Sequence, residues 1–324
     1  MKIIIIGTAH PYRGGIAAFN ERLATEYRRK GHEVKIYTFT LQYPSFLFPG
    51  KTQYSSDPQP VDMDISRRIN SINPFNWVKI GRMIKKEKAD LLIFAYWMAF
   101  MAPCLGTIAR FSRSKGTKRL GLVHNMIPHE PNLMDKLFPR YFTKQMDAFV
   151  ALSNSVVEDI SKFDTKNKPK VVSPHPIYDH FGEKISRSEA LSYLKLDEDM
   201  RYMLFFGFIR DYKGLDLLLK AFADQRFRTL NIKLIVAGEF YSNSEYYFEL
   251  EHKLALKESV LWYSNFISDK EVKYFFSAAD IIVQPYKTAT QSGVTQIAYH
   301  FEKPMLVTNV GGLSEIVPQG KVGY

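Results

Sequence analysis

Short apolar runs alternating with stretches of helical periodicity constrain this chain more than any other feature. "KIIIIGT" is followed by "GIAAFNERLATEYRRKG", in which Ile16, Phe19, Leu23 and Tyr27 recur at helical spacing until Gly31 stops the pattern, and "HEVKIYTF" comes next. This is one βαβ unit, and it favours a parallel sheet covered by helices. "KRLGLVHN" and "DAFVALS" continue the series. After "KVVSPHPIYDHF" it restarts with "RYMLFFGFI", "GLDLLLKAFADQ", "NIKLIVAGE", "EVKYFFSAADIIVQP" and "KPMLVTNV". The pattern fails between Leu41 and Trp77, where Pro44, Pro49, Pro58, Pro60 and Pro74 stand among aromatics, so a long loop, functional or mobile, is expected there.

A chain of 324 residues, 46% of them apolar, can bury two cores. The Pro-flanked stretch 174–178 reads as a hinge, giving a 1–176 domain and a 177–324 domain, both doubly wound α/β. Ligands of such sheets sit beyond the carboxyl ends of the strands, and a cleft between the domains is the expected site. Cys104 is the single cysteine, which excludes an intrachain disulfide and suits a reducing cytoplasm. The four-residue apolar run at the N-terminus is shorter than the core of about 7 to 15 residues that a signal peptide needs. Leu91 to Ala109 is uncharged over roughly a membrane span, but Pro103, Gly106 and Thr107 interrupt it, and it divides into a buried strand, Leu91 to Tyr96, with a helix after it.

Charge is distributed unevenly. Up to Tyr178 there are 27 Lys and Arg against 14 Asp and Glu; after it, 17 against 19. The basic excess therefore belongs to the first half and suggests an anionic partner on that side. No recognition-helix or zinc-finger pattern points to nucleic acid, and an anionic membrane surface fits the dispersed cations better.

Three loops stand between a strand and a helix, where chemistry is expected. In "GTAHPYRGGIAAF", Gly14 and Gly15 open the first helix, so the loop is either a tight turn or an anion site built on helical amides. In "GFIRDYKGLDLLLKAF", Arg210 and Lys213 precede a helix N-terminus. Cations are unfavourable beside the positive end of a helix dipole, so they are either solvated surface charge or partners of a bound anion. In "TATQSGVTQIAYHF", Ser292 and Gly293 precede a helix that begins near Val294. An uncharged loop there offers fixed dipoles without a carboxylate to repel a phosphate.

Taken in order, Gly207 to Phe222, "LIVAG" (Leu234 to Gly238), "AADIIVQPY" (Ala278 to Tyr286) and "KPMLVTNVGGLSEIV" (Lys303 to Val317) resemble the donor-binding half of glycosyltransferase family 4. "RGGIAAFNERLATEYRRKGHEV" and "LVHN" resemble its N-terminal glycine loop and acceptor-side His motif, so the similarity spans nearly the whole chain. The resemblance implies a GT-B fold and a retaining sugar transfer from a nucleotide-diphosphate sugar to a glycan or lipid-linked acceptor. The setting it implies is surface polysaccharide assembly in the cytoplasm, peripheral to the inner face of the plasma membrane. No metal or cofactor is expected, and no nucleic-acid partner. By position, Arg210 and Lys213 bind the diphosphate as the leaving group gains charge, and Gly15, with Gly14 and Gly207, borders the same group. Gln291, Ser292, Gly293, Val294 and Gln296 contact the donor, Glu315 either does so at the nucleotide end or has a capping or structural role, and His124 serves the sugar and acceptor side, unless it is a core histidine. His129 is a weaker candidate of the same kind.

Three departures from the family pattern matter. Phe208, not Arg, follows Gly207. The family's two glutamates eight residues apart should fall near Ala289 and Ile297, and only the neutral Gln291 and Gln296 are close. The chain also stops at "GKVGY", before the terminal helices usual in the family. Two other readings therefore stay open: a GT-B sugar-nucleotide epimerase or hydrolase, and a non-catalytic sugar-nucleotide-binding partner. "DMD" (Asp62 to Asp64) has the form of a metal-binding triplet but stands in the Pro-rich loop and not after a strand.

Overall fold

A computed structural model describes residues 1–44, 52–55, 58–60, 62–127, 134–179 and 181–324, with no side-chain description for 134–136 and 228. His129 lies outside the described residues. The chain divides into two compact units, Met1–Pro174 and His175–Tyr324.

Among the described residues the first unit holds a seven-stranded sheet: β1 (Lys2–Ile6), β2 (Glu33–Leu41), β3 (Asp64–Asn70), β4 (Leu91–Tyr96), β5 (Lys118–Val123), β6 (Ala148–Ala151) and β7 (Lys170–Val172). All pairings are parallel, in the order β3-β2-β1-β4-β5-β6-β7. The strand β1 lies well inside the sheet, and its run of four isoleucines is buried on both faces, which is why it reads as continuous and not alternating. The segment once open to a membrane reading is β4 followed by the helix Ala102–Phe111, and no helix among the described residues is long and apolar enough to cross a membrane.

The region expected to be a long loop contains more order than its prolines suggest. β3 forms the sheet edge with the polar sequence "DISRRIN", of whose side chains only Ile69 is buried, so it gives no apolar run. Pro74 sits in the first turn of the helix Pro74–Lys86, where it needs no amide hydrogen, and Asn73 caps that helix by accepting from the Asn76 N–H. Asp64 opens β3 and pairs with Lys35 at 3.4 Å, so the triplet "DMD" leads into a strand instead of lying within a loop.

The second unit holds five parallel strands, β8 (Arg201–Phe206), β9 (Ile232–Ala237), β10 (Val260–Tyr263), β11 (Ile281–Gln284) and β12 (Met305–Val307), in the order β10-β9-β8-β11-β12. The order reverses direction between β8 and β11. Loops leaving those two strands therefore separate at their carboxyl ends, and a ligand can settle there.

Candidate active site

The loop after β8 turns at Gly207, whose φ of +94° is left-handed backbone that other residues rarely adopt. It then forms a short 3-10 turn over Asp211–Lys213 and enters the helix Leu215–Phe222 through Gly214, at φ +69°. A Cβ at Gly214 would collide with the Pro285 carbonyl oxygen, so glycine lets this loop seat against the segment after β11. Gly238, after β9, is equally tight: a Cβ there would collide with the Gly207 carbonyl oxygen.

This turn delivers Lys213 to the interior. The side chain is buried, and its ammonium lies 5.5 Å from the centre of the Tyr286 ring and 3.0 Å from where a Cβ on Gly207 would stand. Burial, and then the charge of Arg210, push the Lys213 pKa down to about 7. Arg210 is exposed, with its guanidinium 5.0 Å from the Tyr241 ring centre. Neither cation has a carboxylate within ion-pair distance among the described residues. Two acids of this segment are committed elsewhere: Asp216 faces Lys287 at 2.8 Å and Lys220 at 3.8 Å, and Asp211 accepts from the Tyr247 hydroxyl at 3.2 Å. Two like charges, one of them desolvated, are thus held together at the mouth of a parallel sheet. An anion is the species that would relieve both.

The segment after β11 brings Tyr286 beneath Lys213. Its buried hydroxyl meets Ser292 Oγ at 3.3 Å, and burial pushes its pKa up. Ser292 is the N-cap of the helix Gly293–His300 and makes no side-chain cap bond, so it serves the tyrosine and not the helix end. Val294 reaches within 3.6 Å of the Gly207 Cβ position. Of the expected donor-side residues, Lys213 and Ser292 thus both meet Tyr286, and Gly207 and Val294 stand beside Lys213. The helix begins at Gly293, one residue before the expected start. Gly293 does not occupy a left-handed conformation; its missing side chain makes room for the Tyr178 ring, 3.1 Å from a Cβ position.

The remaining predicted residues of this unit are placed less centrally. Gln291 is half-buried and Gln296 is buried in the helix. Glu315 is exposed in the short helix Leu313–Ile316. That helix follows Gly311, which is at φ +48° and packs so closely on the Ala289 carbonyl that a Cβ would collide with it. The segments bearing Gln291 and Glu315 are neighbours for this reason.

Sequence reading passed over Tyr286 and the pair Gln284 and Thr295. These last two are buried and exchange hydrogen bonds of 3.0 and 3.1 Å, fastening the end of β11 to the following helix. The one available signal was a polar residue at the end of an otherwise apolar strand, "IIVQ".

In the first unit, Gly14 is at φ +110° and caps the helix Gly15–Arg29, whose first turn carries no acidic residue. Asn20 from that helix donates to the Thr8 carbonyl at 2.9 Å and so ties the helix to the loop after β1. His124 follows β5, is buried, and presents its ring at 87° to Phe19, 5.0 Å away; its amide donates to the Tyr96 carbonyl at 2.8 Å. Phe19 belongs to the same helix as Gly15, so the histidine and the glycine loop share one end of the sheet. Among the described residues no three metal-ligating side chains gather.

Comparison with known proteins agrees with this architecture. The profile described as Glycosyltransferase Family 4 matches residues 13–179, and that of Glycosyl transferases group 1 matches residues 186–324. An uncharacterized glycosyltransferase of Methanocaldococcus jannaschii is 26% identical over 331 residues, covering 100% of this chain and 83% of the relative. The lipopolysaccharide 1,2-N-acetylglucosaminetransferase of Salmonella typhimurium is 29% identical over 142 residues, 40% of this chain and 36% of that one. Among solved structures, Anabaena HepE in complex with UDP-glucose superposes with a TM-score of 0.74 at 14% identity, over 99% of this chain and 84% of that one. With both units matched, the chain belongs to glycosyltransferase family 4 and is a glycosyltransferase of GT-B fold.

Proposed function

We propose that this glycosyltransferase moves a sugar, with retention of configuration, from a nucleotide-diphosphate sugar to a glycan or lipid-linked acceptor in surface polysaccharide assembly. The observation that carries the donor assignment is the pairing of buried Lys213 with Arg210 beyond the carboxyl end of β8, neither with a carboxylate at ion-pair distance among the described residues. On this reading the diphosphate lies against the two cations. Its charge returns Lys213 to the ammonium form, and both side chains stabilise the negative charge that grows on the leaving group, in place of a metal ion. Ser292, Gly293 and Val294 border the phosphates, with Gly207 giving close backbone approach. Gln291 and Gln296 hydrogen-bond donor hydroxyls as neutral groups, and Glu315 acts toward the nucleotide end. In the first unit, Gly14, Gly15 and His124 contact ligand. The HepE structure was determined with UDP-glucose and the Salmonella relative is named for lipopolysaccharide synthesis, which favours this substrate class. The working place proposed is the cytoplasmic face of a membrane.

The test is a thermal-shift screen of UDP-, GDP- and ADP-sugars, where a ligand at 100 times its Kd stabilises by about 2.7 kcal/mol. NMR of the transferred sugar's anomeric centre follows with the donor that binds. An inverted product overturns the retaining assignment. Binding without product in the presence of candidate acceptors, or release of free sugar, overturns transfer.

A further inference from the structure

Much of the basic excess of the first unit lies in two stretches that carry no acid. No Asp or Glu occurs from Ile65 to Lys86 or from Leu91 to Ile127. The two helices in these stretches, Pro74–Lys86 and Ala102–Phe111, pack so closely that a Cβ at Gly81 would stand 2.7 Å from that of Phe111. The guanidinium groups of Arg82 and Arg110, one from each helix, lie over the Phe111 ring at 5.7 and 5.9 Å. Along the helix Pro74–Lys86 the residues Phe75, Lys79, Arg82 and Lys86 form one exposed stripe at helical spacing. None of Lys79, Arg82, Lys86, Arg110 or Arg113 has an ion-pair partner among the described residues. The acids closest in sequence are occupied: Glu87 accepts from the Tyr37 hydroxyl and pairs with Lys2 at 3.7 Å, and Asp90 accepts from the Lys2 N–H at 2.7 Å.

At one end of this stripe the surface is apolar. Phe75 is 88% exposed and Ile72 50% exposed. An exposed aromatic beside unpaired cations is the pattern of a segment lying in a lipid interface, with the ring among the acyl chains and the ammonium groups at the phosphates. Ile72 and Phe75 follow β3 directly, so they stand at the carboxyl edge of the sheet, the same edge that bears His124 after β5. β3 and β5 are four strand spacings apart, roughly 19 Å.

We infer that Ile72, Phe75, Lys79, Arg82 and Lys86 form a docking face for an anionic lipid bilayer, which brings the His124 edge of the first unit toward the membrane and a lipid-borne acceptor. This deepens the proposed membrane-side function and rests on it. Nucleic acid and soluble polyanions share the charge but have no use for the apolar tip.

Co-sedimentation of the full chain with phosphatidylcholine vesicles, with and without about 30% phosphatidylglycerol, tests the face. The protein is expected to bind the anionic vesicles at least tenfold more tightly. The triple change Lys79→Gln, Arg82→Gln, Lys86→Gln should weaken that binding about 100-fold, as expected for three basic residues near an anionic surface. Phe75→Ser should weaken it about tenfold and leave binding to a soluble DNA duplex unchanged. The matched change Arg28→Gln, Arg29→Gln, Lys30→Gln, elsewhere on the same unit, should cost less than threefold. Equal losses in the two triple variants, or no effect of Phe75→Ser, overturn the docking face. The nucleotide-sugar thermal shift, read on the same proteins without lipid, should be the same in all of them. Its absence with vesicle binding intact tells against the donor reading and leaves the face standing, whereas the opposite pattern removes the face alone.

Discussion

The Lys213 ammonium stands 5.5 Å from the centre of the Tyr286 ring, with no carboxylate within ion-pair distance among the described residues. A ring face attracts a cation weakly and cannot replace the water lost on burial. The arrangement is therefore costly in the free protein and useful only when an anion arrives. Lys213→Met, which keeps the bulk and removes the charge, should lower turnover about 100-fold to 1000-fold. It should also stabilise the fold, on the order of 1 kcal/mol, at pH 7. Steady-state kinetics and urea unfolding on one preparation check both.

The same residue predicts a proton balance. Its folded pKa, pushed down to about 7, lies below that of an unfolded chain, so between about pH 7 and 10.5 unfolding takes up a proton and stability rises with pH. The burden is fully present below about pH 7, and the advantage of Lys213→Met should shrink as pH climbs through that window. Diphosphate binding reverses the shift: at pH 8 the wild-type chain should take up nearly one proton on binding UDP or the cognate nucleoside diphosphate, and the Met variant none. Calorimetry in two buffers of different ionisation enthalpy reads this directly.

Gly207→Ala and Gly214→Ala should separate function from fold. Both residues have positive φ, and each change costs about 1–3 kcal/mol of stability. At Gly214 the new methyl meets the Pro285 carbonyl, so loss of stability should dominate. At Gly207 it meets the end of a flexible side chain, Lys213, and displaces one of the two cations assigned to the diphosphate. Turnover at a temperature where the protein is folded should therefore fall more in Gly207→Ala.

Thr295→Val is close to isosteric but leaves the Gln284 amide buried without its partner. A stability loss of about 1–3 kcal/mol is expected, with donor KM little changed. A raised KM with normal stability would place Thr295 in the binding surface instead.

Gln291→Ala should raise donor KM or lower turnover without altering the unfolding midpoint, and Gln291→Glu should alter kinetics in either direction. Inertness of both variants would remove the donor hydroxyl contact from the proposal.

The strands were legible because burial on both faces demands uninterrupted apolar runs, as in "IIII" of β1 and "LIVA" of β9. β3 was not, because an edge strand with exposed side chains needs no such run, and the prolines around "DISRRIN" read as loop. Arg210 and Lys213 stood out as cations misplaced against a helix dipole, a local conflict that sequence displays. Tyr286 displays none. Its place beneath Lys213 depends on how the loops after β8 and β11 meet, and that is settled by Gly214 packing on Pro285. The space that Gly293 leaves for the Tyr178 ring likewise depends on packing and not on local sequence, since its backbone is ordinary.

Gly207 and Gly238 touch backbone to backbone, since a side chain on the second would occupy the carbonyl of the first. The two loops leaving β8 and β9 are thus a coupled unit for mutation as well as for structure. A substitution at Gly238 pushes on Gly207 and through it on Lys213, while no single compensating change at Gly207 is open, because its own φ of +94° refuses a side chain. Variants that retune this enzyme toward other donors should therefore accumulate in the loops after β10 and β11, with the glycine pair as a fixed point around which the rest of the pocket can diversify.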